Sequence, residues 1–170
     1  MTSVAIITAR GGSKRIPGKN IKNFCGKPII AYSIAAAIES GVFDEVMVST
    51  DDETIAEVAK KAGAVVPFRR SDSTSGDYAT TDEVIAEVLN AYKDRGRNFD
   101  RFCCIYPTAP FITPERLCEA MVVAEQENAD SVMTVVRFSF PPQRAFSSSA
   151  FPSSAPPRRN RSIRQETDSY

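Results

Sequence analysis

Residues 3–20 read SVAIITARGGSKRIPGKN. The first six, Ser3 to Thr8, form the short apolar run of a strand buried in a sheet. The next eleven, Arg10 to Asn20, hold three glycines, Pro17 and the cations Arg10, Lys14, Arg15 and Lys19, with Lys22 just beyond and no acid among them. Glycines let backbone N–H groups approach an anion closely, and arginine and lysine neutralise it. The pattern therefore predicts a phosphate-binding loop. A solvated basic turn would need a glycine or two, but not this density of cations at a strand's carboxyl end. The loop is not a Walker A motif, because Ser13 stands where Gly18 and Lys19 would require a glycine, and Asn20 replaces the Ser/Thr that would meet magnesium.

Outward from this loop the chain alternates strands with helices. Pro28 opens a helix that Gly41 ends, the usual placing of proline and glycine. Glu45 to Ser49 reads EVMVS, a second strand. Thr50 and Glu53 in T-D-D-E predict a capping box and a helix through Ala62, stopped by Gly63. Ala64 to Phe68 predicts a third strand, and the polar stretch 69–79 a loop. Thr80 and Glu83 predict a second capping box and a helix to about Lys93. Arg101 to Tyr106 predicts a fourth strand, Thr113 to about Asn128 a helix, and Ser131 to Val136 a fifth strand. This alternation predicts βαβ units with a mainly parallel sheet, whose ligands bind beyond the carboxyl ends of the strands. The basic loop, the T-D-D turn and the P-T-A-P-F stretch all lie at that edge.

Composition narrows the chemistry. The 170 residues contain 21 basic and 21 acidic side chains, so bulk charge argues against general nucleic-acid binding. Histidine is absent, which removes a Ser-His-Asp triad, a Cys-His dyad and His-ligated zinc. Cys25, Cys103, Cys104 and Cys118 form no C-x-x-C pair and predict buried free thiols in a cytoplasmic protein. The start of the chain has neither a basic n-region nor a membrane-length apolar run. Residues 147–170 hold seven serines, three prolines and four arginines without period, and predict a disordered tail after a single domain at 1–146.

Several residues have a structural reading of their own. Asp51 and Asp52 at a helix start are explained by capping and the helix dipole rather than by metal binding. Thr80 serves as an N-cap, Asp77 in Ser-Gly-Asp as a turn residue, and Arg70 beside Arg69 as surface charge.

The motifs ARGGSKRIPGKN, STDDETIAEVAKKAGAVVPFRR, DYATTDEV, YPTAPF and FSFPPQRAF follow one another between residues 3 and 146. In that order they resemble the sugar-acid cytidylyltransferases of the CMP-sialic acid synthetase type. The resemblance implies a three-layer, Rossmann-like α/β nucleotidyltransferase fold and the transfer of CMP from CTP to a nine-carbon 2-keto sugar acid, with release of pyrophosphate. It implies that Arg10, Ser13, Lys14, Lys19 and Asn20, with Gly12 and Arg15 in the same loop, hold the CTP phosphates. Lys19 and Arg10 would be the catalytic cations, Ala9 and Arg10 backbone would face cytosine and ribose, and Arg70 with Thr80 or Thr81 would lie at the base.

On the sugar side the resemblance implies Tyr106, Thr108 and Arg144. Tyr106 stands where neuraminic-type relatives have glutamine, which resembles the pseudaminic-acid branch; CMP-N-acetylneuraminate and CMP-Kdo synthesis, or nucleotide binding without turnover, are the alternatives. Magnesium and a homodimer are also implied. The family's metal-binding aspartate, in a D-A-G-type motif, and its dimerisation arm belong to a region after residue 146, and neither is found in 147–170, which reads as a truncated or frame-shifted end.

Overall fold

Val4, Ala5, Ile6 and Ile7 are fully buried, which is possible only for a strand covered on both faces. In the computed structural model, which describes residues 1–135, this strand is β1 (Ser3–Thr8). It is flanked by β4 (Glu45–Ser49) and β5 (Arg101–Ile105) in the order β4-β1-β5, both pairs parallel. The registers Thr8↔Ser49 and Ile7↔Ile105 bring all three carboxyl ends to one edge. A small antiparallel ribbon, β2 (Asn23–Phe24) and β3 (Lys27–Pro28), turns through Cys25 and Gly26, both at positive φ. Two successive positive φ angles are what a tight two-residue hairpin turn requires.

The helices are α1 (Ile29–Ser40), α2 (Glu53–Lys61), the single turn α3 (Asp72–Ser75), α4 (Thr81–Lys93) and α5 (Pro114–Gln126). One core cluster joins Ala5 and Ile7 to Ile30, Ile34, Ile55, Ala59 and Leu117, from α1, α2 and the start of α5. The other joins Val4, Ile6 and Met47 to Ile85, Val88 and Tyr92 of α4. The alternation of β1 side chains thus feeds two cores, one on each face, giving the expected three layers. Cys103 packs against the first cluster and its neighbour Cys104 against the second.

Four expectations are corrected. Asp52, not Thr50, caps α2: its side chain accepts the Ile55 N–H at 3.0 Å, while the Thr50 hydroxyl accepts from Asp52 N. The capping oxygen must reach the N–H three residues on, and the helix starts at Glu53. The expected third strand is reduced to one bridge, Met47↔Val65, because Val65 alone carries the two backbone bonds to Val46 and Val48. Residues 131–135 form no strand; Val132, Met133 and Val135 are exposed, so apolar content there is not matched by backbone pairing. Cys25 is exposed rather than buried, because it sits at the tip of the ribbon.

The capping box of Thr80 and Glu83 is present as expected. The chain divides into two compact units, Met1–Glu119 and Ala120–Tyr170. In the second, the described part comprises the last turns of α5 and the irregular segment to residue 135. The expected tail and Arg144 lie outside the described residues. Among those described, no helix is long and apolar enough to cross a membrane.

Candidate functional site

At the edge where the three strands end, the chain is tied together by backbone. Ala9, buried, donates its N–H to Ser49 O at 2.9 Å. Gly11 donates to Asp51 Oδ1 at 2.9 Å, so the first glycine of the basic loop is held by the carboxylate that follows β4. Gly11 also leaves no room for a side chain: a Cβ there would meet Asp52 Oδ2 at 2.7 Å and Asp52 Cβ at 2.8 Å. The loop closes in a 3-10 turn, Lys19–Ile21, entered through Gly18 at φ 62°. Ser33 Oγ donates to Tyr106 O at 2.9 Å, which ties α1 to the segment after β5.

Asn20 lies on the 3-10 turn and is only 4% exposed. Its Nδ2 donates to Arg10 O at 2.9 Å and fixes the path of the loop. Its Oδ1 is buried with no hydrogen-bond partner in the protein. An orphaned buried acceptor is costly, and it fits a donor from a ligand or water better than a phosphate oxygen.

Arg70 is 6% exposed, not a surface charge. Its Nε donates to Ser49 Oγ at 2.9 Å and its Nη2 to Ser49 O at 2.7 Å, beside the end of β4. Burial lowers its pKa from the ordinary arginine value, and Asp51 and Glu87 work against that shift. The guanidinium is thus held on the strand end with two of its donors given to Ser49.

The loop cations separate into two groups. Arg10 Nη1 donates to Gly76 O at 2.8 Å and lies 3.1 Å from Asp77 Oδ1; Lys14 also pairs with the Asp77 carboxylate. The hydrogen bond from Lys14 holds the Asp77 carboxyl below its usual range. Asp77 therefore has a partner role that its turn position alone does not convey. Arg15 and Lys19 are exposed and make no ion pair among the described residues. Gly12 is exposed and Ser13 half-buried, its N–H bound to Gly11 O.

The segment between residues 71 and 80 is anchored at both ends. Ser71 and Thr74 hydrogen-bond to Glu87 of α4, and Thr80 is locked in its capping box with Glu83. Burial raises the Glu87 pKa, but those hydrogen bonds outweigh it and leave it lowered. Backbone bonding to Thr80 lowers that of Glu83. The Thr80 hydroxyl is engaged by the cap, whereas Thr81 is half-buried in the first turn of α4. Tyr106 is 60% exposed on the segment after β5, with Pro107 buried and Thr108 half-buried behind it.

Arg10, Lys14, Asn20 and Arg70 are thus brought to one edge with residues that sequence reasoning gave no part in binding: Ser49, Asp51 and Asp77. An acid seven to eight residues after the Arg69–Arg70 pair, opposite an acid-free basic loop, was the available signal for Asp77.

Magnesium is implied by the resemblance, but the carboxylates here do not form a site for it. Asp51 accepts from Gly11, Asp52 from Ile55, and Asp77 is engaged by two cations. Among the described residues no cluster of three or more metal-ligating side chains occurs.

The sequence model of the family described as cytidylyltransferase matches residues 4–151. Pseudaminic acid cytidylyltransferase of Campylobacter jejuni is 44% identical over 146 residues, 86% of this chain and 63% of that protein. N-acylneuraminate cytidylyltransferase A of Danio rerio is 44% identical over 133 residues, 78% of this chain and 30% of that protein. The chain therefore spans less than two thirds of the length of the curated relatives it matches. Among solved structures, a CMP-2-keto-3-deoxy-manno-octonic acid synthetase complexed with CTP superposes with TM-score 0.63 at 24% identity, covering 76% of this chain and 49% of that one, and shares the fold. With the three-layer sheet and the basic loop at its carboxyl edge, the match over 4–151 establishes that the chain belongs to the cytidylyltransferase family.

Proposed function

We propose that the protein transfers CMP from CTP to a nine-carbon 2-keto sugar acid of the pseudaminic type. The sugar's anomeric hydroxyl attacks the α-phosphorus in line and gives up its proton to solvent; a new P–O bond forms and the bond to the β-phosphate bridging oxygen breaks, releasing pyrophosphate. The observation that carries the reading is the edge built by Arg10, Lys14, Asn20 and Arg70 at the carboxyl ends of a parallel sheet. Catalysis of this kind rests on positioning and on neutralising phosphate charge. Arg10, Lys14, Arg15 and Lys19 provide cations, Gly12 and Ser13 close donors, and Arg70 with Thr81 the base side. Magnesium, where it takes part, needs ligands other than the described carboxylates, and no step is routed through it. The four cysteines are all free, which suits a reducing compartment such as the cytoplasm.

The sugar preference rests on Tyr106 and on the identity to the Campylobacter relative. It is tested by offering the 170-residue chain CTP with pseudaminic acid, N-acetylneuraminic acid or Kdo in parallel. Faster CMP transfer to pseudaminic acid is the expected result. Faster transfer to either competitor overturns the sugar assignment. CTP binding with no product from any sugar overturns transfer by this chain and leaves a nucleotide-binding protein without turnover.

A further inference from the structure

Four residues, Gly76 to Ala79, bridge two anchored points. On one side Ser71 and Thr74 are fastened to Glu87; on the other Thr80 is fastened to Glu83. Among the described residues, the only backbone bond between them is a long one, Ala79 N to Gly76 O at 3.4 Å, and Tyr78 is 98% exposed. Among the described residues, the strap's side-chain hydrogen bonds run to the basic loop: Arg10 to Gly76 O, and Arg10 and Lys14 to the Asp77 carboxylate. So a carboxylate carried on a loosely bonded strap sits on two of the cations expected to receive phosphate.

We propose that Asp77 is a latch: an internal anion that closes the phosphate cradle of the unliganded protein and is displaced when a polyphosphate binds, which frees the strap 76–79. This rests on the reading of the basic loop as a phosphate site. The physical case is a competition of charges. Asp77 offers one negative charge in a half-exposed ion pair, and such pairs are weak. A nucleoside triphosphate or pyrophosphate offers several charges and strong acceptor oxygens to the same two cations. The protein divides between latched and open forms, and the ligand takes the open one, so its apparent affinity is reduced by the latched fraction. The device keeps the cradle from single weak anions and couples phosphate arrival to the segment that leads into Thr80 and Thr81 on the base side.

The test uses the full 170-residue chain, inorganic pyrophosphate as the probe, and no divalent cation. Titration calorimetry compares the wild type with Asp77→Asn and Asp77→Ser, with melting temperatures to confirm that both variants are folded. Both variants are expected to bind pyrophosphate roughly three- to tenfold more tightly. In the wild type, hydrogen exchange at 76–79 is expected to speed up on adding pyrophosphate while the loop 9–18 slows. Equal or weaker binding in the variants, or slower exchange at 76–79, overturns the latch; CTP binding by the wild type then leaves the cytidylyltransferase reading intact. Failure of every chain to bind either pyrophosphate or CTP removes both.

Discussion

Lys19 and Gly11 show how differently two residues of one loop can matter. Lys19 is exposed and free of ion pairs among the described residues, so it is available to a ligand without a competing contact. Lys19→Ala is expected to cost about 2–3 kcal/mol of CTP binding or turnover, the size of a lost charge-assisted contact, read by calorimetry and by product formation. Gly11 carries no charge, yet its missing side chain lets the loop lie against Asp52. Since the clash would fall on Asp52 Cβ as well as on its carboxylate, rotation of that side chain cannot relieve it. Gly11→Ala is expected to destabilise by about 1–3 kcal/mol and to weaken CTP binding, checked by urea melts and titration of the same sample. The cations and glycines of this loop were legible in the sequence because their chemistry is local. The partners Asp51 and Asp77 were not, since a turn acid and a ligand-site acid look alike until the fold brings the cations to them.

At the level of elements, local signals succeeded where one segment contains both halves of the interaction. Thr80 and Glu83 lie three residues apart, and their reciprocal bonds define the start of α4. Thr80→Ala is expected to lower stability by about 1 kcal/mol, and unchanged CTP affinity in that variant would assign Thr80 to capping alone. The same pattern misled at Thr50, because Asp52 is a competing cap two residues later and backbone geometry chose it. The ribbon β2–β3 escaped notice since each strand has two residues and its turn relies on positive φ at Cys25, a residue that rarely signals one. Strands β1, β4 and β5 were legible from apolar runs. Residues 64–68 and 131–135 have similar composition, but a strand also needs a neighbour's backbone, and composition carries no record of that.

For the molecule as a whole, the two cores set its response to alkali. Burial pushes the Cys103 thiol up to about 11, and burial together with the Glu45 hydrogen bond raises the Tyr92 hydroxyl well above its ordinary value. In both cases the folded pKa exceeds the unfolded one: the Cys103 contribution is complete below the unfolded thiol range near pH 8.5–9 and is lost as pH rises towards 11, whereas that of Tyr92 is complete below about pH 10 and is lost only above it. Unfolding free energy from urea melts is expected to fall by about 1–3 kcal/mol between pH 8 and pH 10.5, with a shallower slope in Cys103→Ala. A flat profile over that interval would contradict the burial of the Cys103 thiol.

The adjacent thiols of β5 carry one more consequence. Cys103 and Cys104 are joined by a single peptide bond, yet they look into opposite cores. With the other cysteines replaced, a small vibrational or fluorine label on the first would hear events among α1 and α2, and on the second events around α4. Two such reporters, next to each other in the chain and insulated by the thickness of a sheet, would tell whether the layers loosen together or in turn.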